Sequence, residues 1–279
     1  MNTMKLVDKI LDGRNIFNSI YCMESYVFDK GLLDEEDLCL YYALADKHNM
    51  DLIDGVIAAC RERLQWLFKD KDNLFVAKVY FKLKKYDPHE QKLSFRPMHT
   101  AKLIDLICMV SIMNCLMFDD DLDAGKRNLS DLSKLLPHNF YGNIPSTDVQ
   151  YLFHRWQTKY KEYTEAVVEH CRAYQKNHSY LTEICLDIKN FFPSISPKML
   201  YDYIISKLSR RYEDDNEALS MAVSKLLYFK IQKENVEPWK DYYYPEGTDL
   251  TGETVLKVVV PDSYDPTTAG LPCPARKSK

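Results

Sequence analysis

No CxxC pair, no HExxH helix and no spaced Cys/His set occurs in this chain, although it holds eight cysteines and seven histidines. That absence removes the usual zinc sites from consideration. Neither GxGxxG nor a GKS/GKT loop is present, so nucleotide binding through a Rossmann turn or a P-loop has no support. Positive charge is not in excess either. The formal net charge is −4 and the pI near 6.0, so any nucleic-acid contact must come from a local basic face. The N-terminus, MNTMKLVDKILDGRN, has no uninterrupted apolar core and carries Lys5, Asp8 and Lys9, which reads as an amphipathic start and not as an export signal. Scattered cysteines among apolar residues fit reduced thiols and a cytoplasmic setting. The most apolar stretch, 103–118, contains Asp105 and Asn114 and follows Lys102. Charge inside a span is costly, so this is expected to be a buried helix with no membrane association.

What is present is a hydrophobic content of 46% in 279 residues, enough for one substantial core and a smaller satellite. Apolar residues recur at helical spacing from Met4 to about Lys69, with Asp34 or Asp37 as a cap. From Asn73 the texture changes. LFVAKVYFKLKKY alternates β-branched and aromatic residues with lysines, DPHEQ supplies a turn, and KLSFRPM returns, predicting a β-hairpin with a basic face. A helix over 100–118, an acidic loop DDDLDAGKRN, a short helix around Leu132–Leu136 and a long helix from Val149 to about Asn177 follow. TEICLDI then reads as a short strand, a further helix begins near Pro197, and VLKVVV over 255–260 reads as another strand. The acidic run fails as an EF-hand because Ala124 takes the position that requires glycine. MFDDDLD also imitates a Tyr-x-Asp-Asp turn, but its flanks predict a helix end opening into a solvated loop.

LDIKNFFPSIS, residues Leu186–Ser196, carries the chemistry. An aspartate ending an apolar strand must be paired or bound to a cation, and strand-borne carboxylates hold the two Mg²⁺ ions of polymerases. An Asp followed by Ile, two variable residues and Phe-Phe resembles motif A of bacterial reverse transcriptases of the group II intron, retron and defence-associated kinds. The resemblance implies that Asp187 binds both Mg²⁺ (or Mn²⁺) ions, that the Ile188 carbonyl completes the shell, and that Phe192 lies under the sugar of the incoming nucleotide. FRPMHTAKLIDLI resembles the fingers motif whose arginine grips the triphosphate, which assigns that role to Arg96. Lys82, Lys84, Lys85 and Lys92 compete for the accompanying lysine. Lys85 is the residue named here, with no sequence ground for excluding the others. PHNFYGNIPS resembles the template-contacting segment and offers Asn139, Tyr141 and Gly142. Gly270, Leu271 and Pro272 resemble the opening of motif B, so Gly270 and Pro272 are placed against the template. The Gln-Gly continuation and the Tyr-x-Asp-Asp of motif C are not seen before Lys279, so a polymerase cut within motif B, inactive alone, is expected.

The expected fold is therefore α+β and mostly helical. It comprises a helical N-terminal extension over 1–72, a right-hand polymerase fingers region over 73–181, and a partial palm over 182–279 ending in a disordered basic tail. RNA template, DNA or RNA primer and dNTP are the partners this implies, and RNA-directed DNA synthesis the activity. Two other readings remain: a non-catalytic nucleic-acid-binding or assembly module derived from the same fold, and an unrelated helical scaffold.

Overall fold

A run of separately capped helices opens the chain. Helix α1 (Leu6–Leu11) stops at Asp12, whose carboxylate then accepts a hydrogen bond from the Arg14 amide at 2.7 Å and starts α2 (Gly13–Cys22). In α3 (Glu35–Leu44) Asp34 does the same for the Asp37 amide at 3.1 Å, and in α4 (Met50–Lys69) Asn49 caps Leu52. Each satisfies a donor that the first helical turn leaves orphaned. This computed structural model describes residues 4–23, 33–87, 89, 92–119, 127–137, 140–177, 182, 184, 196–232 and 257–259; over 78–87, 92–99, 231–232 and 257–259 it describes the backbone.

Helix α5 (Leu103–Met117) is apolar nearly all round, as a helix enclosed by others must be. Its charged exception, Asp105, is paired: Arg63 of α4 donates to both carboxylate oxygens, at 2.7 and 3.1 Å. Asp37 accepts from the Leu103 amide at 3.1 Å and so caps α5 from the neighbouring α3. Both aspartates expected as caps thus serve as caps, on different helices. Among the described residues no helix is long and apolar enough to cross a membrane.

The hairpin forms as expected. Strand β1 (Phe75–Asp87) pairs antiparallel with β2 (Lys92–Thr100), and Phe75 and Ala77 point one alternate face of β1 into the core. Two short strands, β3 (Phe118–Asp119) and β4 (Asn128–Leu129), pair antiparallel beyond α5. That ladder flanks the expected acidic loop, of which residues 120–126 lie outside the described residues. Asp119 is ion-paired with Arg211 and lies 3.8 Å from Lys134 of the single-turn helix α6 (Asp131–Lys134).

Helix α7 spans Trp156–Asn177 and starts seven residues later than the periodicity from Val149 predicts. The preceding segment is held otherwise. Pro145 and Phe153 form an isolated antiparallel bridge, the Ser146 amide donates to Leu152 O and the His154 amide to Ile144 O. Those bonds use backbone groups that a helix would need for itself. Helix α8 (Pro197–Leu208) begins as predicted, with Ser196 as cap and Pro197 in the first turn; a 3-10 turn (Glu213–Asp215) leads into α9 (Asn216–Leu227).

Strand β5 (Phe229–Gln232) then adds parallel to β1, and β6 (Lys257–Val259), inside the expected VLKVVV strand, adds parallel to β2, giving the order β5-β1-β2-β6. The chain is α+β, mostly helical with a small sheet. Leu6, Ile16, Leu64, Phe75, Ile107, Leu219 and Val223 belong to one buried cluster, so all three expected segments contribute to a shared core. The expected strand TEICLDI lies outside the described residues except for Thr182 and Ile184, which have no strand pairing; Ile184 is exposed.

Candidate nucleic-acid interface

The hairpin register places the candidate lysines relative to Arg96. Lys82 stands opposite Arg96, and Lys85 opposite Ser94, because an extra residue between Leu83 and Lys85 shifts the pairing. Residues directly opposite share a face, and so do residues two apart on one strand. Arg96 therefore shares its face with Lys82, Lys85, Ser94 and Lys92. A regular strand would have put Lys85 on the other side; the bulge at Lys84 brings it back. Phe75 and Ala77, on the alternate row of β1, are buried.

A second surface grows from the segment expected to contact template. Arg127 holds it in place. This guanidinium is buried and donates to Asn114 Oδ1 at 3.0 Å and Asn18 Oδ1 at 3.4 Å, and to the carbonyls of Ser146, Asp148 and Tyr151 at 3.4, 3.2 and 2.7 Å. It also stacks on the Phe118 ring, 3.8 Å from its centroid. Burial lowers its pKa, and the same burial pushes the adjacent Cys22 thiol up to about 11 against the pull of the cation. One arginine thus ties the loop at 144–153 to α2 and α5, with Leu152 buried beneath and its amide donating to Cys22 O at 2.8 Å. In the sequence Arg127 reads as one more member of a polar loop. Asn114, a lone amide in an apolar helix, was the available sign, since a buried amide needs a partner.

On either side of this anchored loop lie aromatic rings. Tyr141, from the turn, meets Tyr163 of α7 edge-on at 5.7 Å between centroids, and Tyr163 meets Tyr160 at 6.3 Å. Tyr160 is 59% exposed, Tyr163 48% and Trp156 47%. Positions 156, 160, 163, 167, 170 and 174 fall on one side of the helix by their 3.6-residue spacing, yet α7 buries none of its residues. Arg155, exposed beside this row, lies 5.7 Å from the Tyr151 ring; Lys159 pairs with Glu162 at 2.7 Å and Lys161 with Glu165 at 3.6 Å.

Of the template candidates, Tyr141 joins this row. Gly142 does not need to be glycine for space, because a Cβ there would meet the Phe140 ring at an ordinary 3.7 Å, and the left-handed residue of the turn is Asn143 with φ 42°. Asparagine tolerates that conformation better than other side chains. Asn139, Asp187, Ile188, Phe192, Gly270 and Pro272 lie outside the described residues. Arg96 and Lys85 are placed by backbone register as above. Separately, a groove of about 740 Å³ opens between α2, α4 and Val149, lined by Arg14, Arg61, Asp12, Asp54 and Phe17; its charges balance, and it offers no preference for an anion.

No protein-family model, curated protein or solved structure matches this chain.

Proposed function

We propose that this chain carries the fingers and the first palm segment of an RNA-directed DNA polymerase akin to bacterial reverse transcriptases of the defence-associated kind, working in the cytoplasm. The observation that supports it best is the hairpin register, which groups Arg96, Lys82 and Lys85 on one face of the ladder. Guanidinium and ammonium groups so grouped suit the triphosphate of a dNTP, where arginine supplies two parallel donors and lysine a point charge. Asp187 and the Ile188 carbonyl would hold Mg²⁺ (or Mn²⁺), which supplies neutralisation of the phosphate charge as the primer 3′-hydroxyl attacks. Phe192 limits the sugar pocket to a deoxyribose. Tyr141 faces the RNA template, and Gly270 and Pro272 take the template side of motif B.

The test is template-dependent incorporation of a labelled dNTP on primed RNA by the gene product that carries this chain. Asp187→Ala is expected to abolish incorporation, and Arg96→Ala to raise KM for dNTP by about tenfold, the cost of one lost charge-assisted contact. Undiminished incorporation by Asp187→Ala overturns the proposal. Oligonucleotide binding with no incorporation in any register of the gene favours the non-catalytic nucleic-acid-binding module.

A further inference from the structure

We infer that the exposed face of α7 is a stacking platform for single-stranded nucleic acid, with Tyr141, Tyr163, Tyr160 and Trp156 as successive stations along the strand. The inference deepens the polymerase reading, since it names the path of an unpaired strand beyond the nucleotide site, but it stands on different residues. Three rings touch only edge-on or tilted, at 5.7 and 6.3 Å, and Tyr160 and Tyr163 remain about half exposed. A row of aromatic residues that served a core would be covered; this helix buries nothing along 22 residues.

Charge chooses between the occupants of such a face. At the aromatic end Lys159 pairs with Glu162 at 2.7 Å and Lys161 with Glu165 at 3.6 Å, so Arg155, Lys159 and Lys161 outnumber the two carboxylates by one, in a chain whose total charge is −4. Arg155 approaches the Tyr151 ring at 5.7 Å, and its guanidinium, with no hydrogen bond among the described residues, is left to a phosphate. A second copy of α7 fits less well. Its basic ends, Arg155 to Lys161 and Arg172 to Lys176, flank an acidic middle of Glu162, Glu165 and Glu169, so pairing in register, parallel or antiparallel, sets like charges together. Aromatic rings interleaved with cations match single strands, because every base offers a π-face while phosphates seek the cations. Duplex bases are already stacked and give such rings nothing to engage.

Fluorescence anisotropy of a labelled twelve-nucleotide oligo-U or oligo-dT, titrated with the whole chain, reads this directly. Tyr160→Ala and Tyr163→Ala are each expected to weaken binding about tenfold, while Tyr160→Phe and Tyr163→Trp stay near the parent. Duplex of the same length should compete poorly. Equal binding by the parent and a Tyr160→Ala/Tyr163→Ala double variant, with unchanged circular dichroism, overturns the inference. So does a concentration-dependent dimer in sedimentation that these alanines dissolve without altering oligonucleotide binding, for then the face serves self-association. Asp187→Ala separates this from the polymerase reading: loss of incorporation should leave oligonucleotide affinity intact, and a failed platform should leave Asp187-dependent incorporation in place.

Discussion

Arg127, a buried arginine with no carboxylate ion pair among the described residues, is the residue on which the interface most depends. Arg127 satisfies three loop carbonyls and two asparagine side chains while stacking on Phe118, and lysine cannot reproduce that planar fan of donors. Arg127→Lys should cost about 2 kcal/mol, and Arg127→Met about 3 kcal/mol because the carbonyls lose their donors in the interior. Urea unfolding measures both, and a change under about 0.5 kcal/mol for Arg127→Met, the range of ordinary surface substitutions, would sink the assignment. Asp37 makes a different claim at the same scale. Burial raises its pKa, partly opposed by the hydrogen bond from the Leu103 amide. The folded chain therefore holds this proton more tightly than the unfolded one. The stabilisation linked to it is full below the ordinary aspartate value and is lost as pH rises from that value through the raised one. Asp37→Asn keeps an oxygen to accept from Leu103. It should gain on the parent across that interval and show a constant difference above it, in unfolding midpoints collected from pH 3 to 7.

At the scale of elements, the hairpin carries the clearest consequence. Its bulge places Lys85 on the face of Lys82 and Arg96, so these three should act as one patch towards phosphates. Removing any one should reduce the slope of log affinity against log salt by about one and weaken binding alike across oligonucleotide sequences. Salt titrations of Lys82→Ala, Lys85→Ala and Arg96→Ala check this, and slopes that match the parent would separate the patch from nucleic acid. The hairpin was legible because period-two alternation, a Pro-containing turn and a second alternating run are all local signals. Its bulge was not, since register depends on both strands at once. Helix α7 shows the other limit. Periodicity extended it back to Val149, but Asp148, Pro145 and Phe153 commit those residues to a bridged loop held by Arg127, and no local pattern encodes a partner so far off in sequence. The platform on α7 was visible only as an amphipathic stripe, which reads the same whether it is covered or bare.

Across the whole molecule, the parts named separately from sequence share one interior. Leu6 and Ile10 of α1, Ile16 and Ile20 of α2, Ile107 of α5 and Leu219 and Val223 of α9 belong to the same buried cluster. Longer-range polar ties bind the same elements. The Leu6 amide donates to Asp215 Oδ2 at 2.6 Å, and Lys225 of α9 reaches back with Nζ to the carbonyls of Asp70, Lys71 and Asn73 at 2.7, 2.9 and 2.6 Å. The loop ahead of β1 is therefore fixed by a residue some 150 positions later, which is how the hairpin keeps its place against the helices. If the N-terminal helices were an appendage, deleting them would leave the rest intact. They are not placed as one. Removing residues 1–23 withdraws four fully buried aliphatic side chains, each contributing about 1.5–3 kcal/mol, a sum of the same order as the roughly 5–15 kcal/mol that holds a typical domain together. The truncated chain should thus lose its folded helical spectrum or aggregate, as read by circular dichroism and size-exclusion chromatography. A truncated monomer that melts at the parent's temperature would show instead that α5 and α9 close the core without α1 and α2, and that the helical start is separable from the hairpin it supports.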